Sequence, residues 1–182
     1  MNYAAIKKND IANGVGVRVS LFVSGCRHHC KNCFNKEAWD FDYGALFTED
    51  VITELIDAAD HDYINGLSLL GGEPFEPENR EGLIELIKRF KEVYPDKDVW
   101  CYTGFTFEEL NSMGKSAKAL LELIDVLVDG RFIEELKNLA LLFRGSSNQR
   151  IIDVKKSLEL SKVVLLEGKW ERSMGSGNIY DM

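Results

Sequence analysis

The sequence predicts an α/β fold, a partial (open) βα barrel around a mostly parallel sheet. Three observations lead there. Short β-type apolar runs alternate with amphipathic helical stretches, the pattern of repeated βαβ units with right-handed crossovers. The candidate strands number about five, too few to close an eight-stranded barrel. A chain of 182 residues, 45% hydrophobic and 29% charged, supports one hydrophobic core and leaves little for a second.

Val17–Val23 (VRVSLFV) is the first predicted strand, and it runs straight into a cysteine-rich loop. Thr48 precedes a predicted helix over Glu49–Ala59, where Glu49 and Asp50 put negative charge in the first turn. Gly66–Leu70 (GLSLL) is the second strand. In Arg80–Val93, Leu83, Leu86, Ile87 and Phe90 recur at helical spacing, and Pro95 follows as a stop. Asp98–Tyr102 (DVWCY) is the third strand. Thr106 and Glu109 have capping-box spacing for a helix through Met113, and Lys115–Ile124 continues helical into a strand at Asp125–Val128. Lys162–Leu166 is the last candidate strand, and from Ser173 the Gly-rich tail is expected to be loosely ordered. Residues 1–182 read as a single domain, with 151–182 a C-terminal extension whose structure the pattern leaves open.

Composition narrows the function. The net charge is −8, and the 22 basic residues are scattered, whereas a nucleic-acid surface needs clustered cations to displace counterions. No nucleic-acid partner is expected. No apolar run reaches the roughly 18 residues of a membrane span, and the opening MNYAAIKKND lacks the apolar segment of a secretory signal. The expected location is the cytoplasm.

Of the four cysteines, Cys26, Cys30 and Cys33 fall in GCRHHCKNCF, residues 25–34, with spacing C-x3-C-x2-C. In a reducing compartment a tight cysteine group points to metal rather than disulfides. Three thiolates on a four-iron cluster leave one iron open to a ligand, whereas clusters that only pass electrons take four. The alternative is zinc held by the three cysteines with His28 or His29, although the chain offers no second Cys or His pair. Outside that role His28 and His29 read as loop residues. Cys101, in the third strand, reads as a small core hydrophobe.

The second strand ends in Gly71, Gly72, Glu73 and Pro74. Two glycines allow positive φ and close backbone approach to a ligand, and Glu73 offers an acceptor for a cationic amine. A plain βα turn is the competing reading. Asp129, before Gly130, lines a cofactor pocket or simply makes a turn. Arg144 and Arg150 flank a polar SSNQ segment and contact a partner or an anionic group, or sit in a solvated loop.

These motifs resemble those of the radical S-adenosylmethionine superfamily. The resemblance implies a [4Fe-4S] cluster on Cys26, Cys30 and Cys33, whose open iron chelates the amino and carboxylate groups of S-adenosylmethionine. It implies that Gly71, Gly72 and Glu73 contact the methionine amino group. The backbone around Asn32, Cys33 and Phe34 would meet adenine; many members carry an aromatic where this chain has Asn32. Over about Met1 to Arg150 the chain further resembles the activating proteins of anaerobic (class III) ribonucleoside-triphosphate reductases. That resemblance rests on DIANG (residues 10–14), CFN (33–35) with Trp39, WCYTG (100–104), VDGRF (128–132) and RGSSNQR (144–150). It implies reductive cleavage to a 5′-deoxyadenosyl radical, which abstracts a glycine Cα hydrogen of the partner reductase, with reduced flavodoxin or a similar protein as electron donor. Another small radical enzyme, acting on a different glycyl radical protein or a small molecule, is the alternative, and a zinc-stabilised interaction module is the non-enzyme one.

Overall fold

A seven-stranded sheet runs through residues 1–168, the part of the chain that the computed structural model describes. In chain order the strands are β1 (Asn2–Asp10), β2 (Val17–Val23), β3 (Ala45–Leu46), β4 (Ile64–Gly71), β5 (Asp98–Tyr102), β6 (Val126–Asp129) and β7 (Arg150–Asp153). Their spatial order is β3-β1-β2-β4-β5-β6-β7. The four central strands, β2, β4, β5 and β6, are parallel, while β1 and β7 pair antiparallel on either side. The helices are α1 (Glu49–Ala58), α2 (Pro77–Val93), α3 (Phe107–Ser112), α4 (Lys115–Leu121) and α5 (Val154–Glu159).

Side chains alternate across a strand, so each central strand serves two faces. Val19, Leu21 and Val23 of β2, Leu67 and Leu69 of β4, Val99 and Cys101 of β5, and Leu127 of β6 join the main core. There they meet Leu55 of α1, Leu83, Leu86, Ile87 and Phe90 of α2, and Leu120 and Leu121 of α4. Each fully buried side chain of this size contributes roughly 1.5–3 kcal/mol. The opposite face carries the intervening residues: Arg18, Ser20, Ser68, Leu70, Trp100, Tyr102 and Val128. Trp100, Val126, Val128 and Ile151 form a second cluster there, with Tyr102, Phe143 and Leu166 packed against it. On the same face Arg18 is wholly buried, donating to Ser68 Oγ at 2.7 Å and pairing with Asp98 at 2.6 Å.

Several boundaries differ from the sequence expectation. Strand β1, polar and only partly alternating, gives no clear period in sequence; pairing with β2 makes it a strand. Strand β7 begins inside a segment that reads as polar loop. It forms because Ile151 and Ile152 fill the two faces beside β6. The expected strand at Lys162–Leu166 is reduced to an isolated bridge between Leu165 and Ile152, following a left-handed Ser161. Helix α2 starts at Pro77, before Arg80, because proline is pre-set for the first helical turn. Thr106 and Glu109 do form the capping box of α3, whereas Thr48 sits at the N-cap of α1 without a side-chain bond. Part of the extension thus joins the sheet, and the Gly-rich tail from Ser173 lies outside the described residues.

Candidate functional site

The C-terminal ends of β2, β4, β5 and β6 share one edge of the sheet, where ligands bind in open α/β folds. All four feed one cavity of about 560 Å³. The loop after β2 contributes Cys26, His28, Cys30, Asn32, Cys33 and Phe34, and β4 contributes Leu70, Gly71, Gly72 and Glu73. From β5 come Tyr102, Thr103 and Gly104, and from β6 Gly130. Residues 137–139 and 141–145, in the connection from β6 to β7, line it as well.

The cysteine loop is tightly held. Its entry bonds to the turn after it, Gly25 N to Ala38 O at 2.9 Å and Cys26 N to Trp39 O at 3.1 Å. A hydrogen bond from Cys33 N to Cys30 O at 3.1 Å closes the second half. His29 and Asn32 have φ of 49° and 56°, left-handed conformations that non-glycine residues keep only where surroundings enforce them. For His29 the enforcement is visible: its ring stacks on Trp39, centroids 4.6 Å apart. Arg27 reaches outward, its guanidinium bonding Glu76 at 2.5 Å and Glu78 at 2.6 Å and lying 4.2 Å from the Phe41 ring centre. That bond holds the Glu78 carboxyl down at about 2.

Burial pushes the Cys26 thiol up to about 11, against hydrogen bonds from the His28 and His29 amides and with the Glu73 charge adding to the rise. Burial likewise raises Cys30. Bound iron reverses this by taking the thiolate as ligand, so metal and proton compete for these sulfurs.

Glycines make the second wall possible. Gly71 has φ of 112°, and a Cβ on Gly72 would lie 2.6 Å from Gly25 O and 2.8 Å from Ala38 O. Glu73, only 1% exposed, sits in a cage of four donors. Oε1 accepts from Phe75 N at 2.9 Å and Thr103 Oγ1 at 2.8 Å; Oε2 accepts from Gly104 N at 2.7 Å and lies 2.9 Å from His28 Nε2. This differs from the sequence expectation of a carboxylate awaiting an amine. His28, read there as a loop residue, is the partner that was missed. The signal for it was the RHH insert between two cysteines facing three acids at 73, 76 and 78.

Other expectations fall differently. Asp129 does not line the cavity: its carboxylate accepts from Phe107 N at 2.9 Å and pairs with Arg150 at 2.5 Å. Gly130, the next residue, takes the lining position. Arg150 therefore braces β6 and α3, since it also binds Glu108 at 2.7 Å. Arg144 does line the cavity, and Cys101 is buried in the main core away from it. The Phe34 side chain stands 85% exposed at the mouth.

The donor set suits an iron–sulfur cluster. Among the described residues no three His, Cys, Asp or Glu side chains gather closely enough for a single metal ion. A cluster takes its thiolates at separate irons and fits three soft ligands spread along one loop. Two buried polar atoms of lining residues, Tyr102 Oη and Arg144 Nε, have no hydrogen-bond partner among the described residues, which suits a cavity that takes a polar ligand.

Comparison with known proteins gives a consistent assignment. The family model for a 4Fe-4S single cluster domain matches residues 12–152. The chain is 43% identical over 153 residues to the anaerobic ribonucleoside-triphosphate reductase-activating protein of Haemophilus influenzae, covering 83% of this chain and 97% of that protein. The protein of the same name from Vibrio cholerae is 44% identical over the same shares. That of Enterobacteria phage T4 is 40% identical over 151 residues, 83% of this chain and 93% of its own.

Proposed function

The chain belongs to the anaerobic ribonucleoside-triphosphate reductase-activating proteins and itself matches the 4Fe-4S single cluster domain, and we propose that it activates such a reductase by radical transfer. The observation that carries this reading is the meeting of a C-x3-C-x2-C loop and a Gly-Gly-Glu turn in one cavity at the sheet edge. Cys26, Cys30 and Cys33 would hold a [4Fe-4S] cluster, and S-adenosylmethionine would fill the space beside it. When bound, these groups supply an electron and a cleavable S–C5′ bond, yielding methionine and a 5′-deoxyadenosyl radical that takes a glycine Cα hydrogen from the reductase.

The chain's own residues bind and shield. The backbone at Gly71 and Gly72 would meet the methionine amino group, and Glu73 holds that turn through the Phe75 amide. The backbone of Asn32, Cys33 and Phe34 flanks the adenine end. Residues 137–145 keep water from the radical, which would otherwise be quenched. The sheet is read as the open barrel of the radical S-adenosylmethionine type, residues 1–182 as one domain with 151–182 as its extension. A reduced flavodoxin or similar protein in the cytoplasm would supply the electron; no helix of the described residues is long and apolar enough to cross a membrane.

The test is reconstitution without oxygen. Roughly four irons and four sulfides per chain are expected, with 5′-deoxyadenosine released on adding dithionite and S-adenosylmethionine. A glycyl radical signal on the reductase should follow. One zinc per chain and no sulfide would replace this reading with a zinc-stabilised interaction module.

A further inference from the structure

All three residues between the first two cysteines are anchored by their side chains: Arg27 on Glu76 and Glu78, His28 on Glu73, and His29 on Trp39. The innermost anchor differs from the others. The His28 side chain is 5% exposed and that of Glu73 1%, and the two, both lining the cavity, are joined at 2.9 Å. The His28 ring also packs against Phe105, centroids 4.4 Å apart, and closely against Gly104, where a Cβ would come within 2.3 Å of it. Four acceptor positions on Glu73 are filled by residues 28, 75, 103 and 104, so one carboxylate joins the cysteine loop to the ends of β4 and β5.

His28 stands two residues after Cys26 and two before Cys30, so its anchor holds the backbone between the first two thiols of the loop. Hydrogen bonds to cluster sulfurs are among the main influences on the potential of an iron–sulfur centre. A ring held at Nε2 fixes where its own amide points. We propose that His28 and Glu73 are positioning residues whose bond fixes the backbone between Cys26 and Cys30, and with it the surroundings of their sulfurs in a bound cluster. The inference rests on the cluster reading above and deepens it: Glu73 acts through His28 rather than by gripping the amine of the cofactor.

Partners standing behind a ligand in this way alter affinity or activity by about 10–100-fold when removed. The experiment uses the full chain reconstituted without oxygen, comparing wild type with His28→Phe and His28→Gln. Phenylalanine keeps the ring packing and loses the bond; glutamine restores a donor at similar reach. Three readouts are taken: iron and sulfide per chain, midpoint potential by redox titration, and the spin-resonance spectrum of the reduced cluster with and without S-adenosylmethionine. His28→Phe is expected to shift the potential and spectrum or to lose iron, and His28→Gln to return all three towards wild type. An unchanged potential and spectrum in His28→Phe overturns the proposal. So does equal damage in both variants, because a restored bond would then restore nothing. A wild-type chain that takes up no iron and sulfide overturns the cluster reading itself, a result distinct from either.

Discussion

Gly72 leaves no room for a side chain, because both atoms a Cβ would strike, Gly25 O and Ala38 O, belong to backbone that is itself hydrogen-bonded. Gly72→Ala must therefore move the entry of the cysteine loop. The expected outcome is a folded protein with sharply reduced iron uptake, measured by iron content beside far-ultraviolet circular dichroism. Full iron uptake would show that the loop tolerates displacement. Cys101 gives the opposite expectation. It is wholly buried among the core leucines and valines, and burial holds its thiol well above the ordinary range. Cys101→Ala should keep full iron and cost about 1–2 kcal/mol of stability for the lost volume. Iron loss in that variant would make it a ligand and contradict an open iron.

Between elements, α3 and β7 are joined through Asp129 and Arg150. Arg150→Met would leave the Asp129 carboxylate buried with only the Phe107 amide, and a cost of about 3 kcal/mol is expected in urea unfolding. No cost would mean that water reaches Asp129. The neighbouring Glu108 carries a pH signature. The hydrogen bond from Arg150 outweighs partial burial and holds its carboxyl below the ordinary value. A depressed folded value means that the stabilisation is present above the unfolded value, about 4.3, and is lost as pH falls towards the folded one. Glu108→Gln should therefore lower stability at neutral pH, flatten the profile below about pH 4.3, and converge on wild type at low pH. An unaltered acid slope would remove Glu108 from the account. Within α3 itself, Thr106→Ala removes the side-chain half of the capping box and keeps the bond from the residue 106 amide to Glu109, with an expected loss of about 1 kcal/mol.

For the whole molecule, the site draws on the ends of four parallel strands and on the connection between β6 and β7, so filling it joins elements far apart in sequence. A ligand that binds only the folded chain stabilises it by mass action. Anaerobic reconstitution should raise the midpoint of thermal unfolding, and adding S-adenosylmethionine should raise it again. A loaded protein that melts like the empty one would place the metal away from this cavity.

The cysteine loop, the Gly-Gly-Glu turn, the parallel central strands and most helices were legible in the sequence, because each depends on neighbours within one element. Spacing puts three thiols on one loop; period 3.6 makes α2; period 2 and short apolar length make β2 and β5. Strands β1 and β7 were not legible, since their polar sequences become strands only beside β2 and β6. Nor was the role of His28. Its meaning comes from Glu73, 45 residues later, and only the parallel pairing of β2 with β4 brings the two within 2.9 Å. The same holds for Asp129, whose partner Arg150 lies across an antiparallel pair. Local chemistry determined which groups are available. Which of them meet was decided by strand order, because a hydrogen bond forms only where the backbone has already delivered both partners.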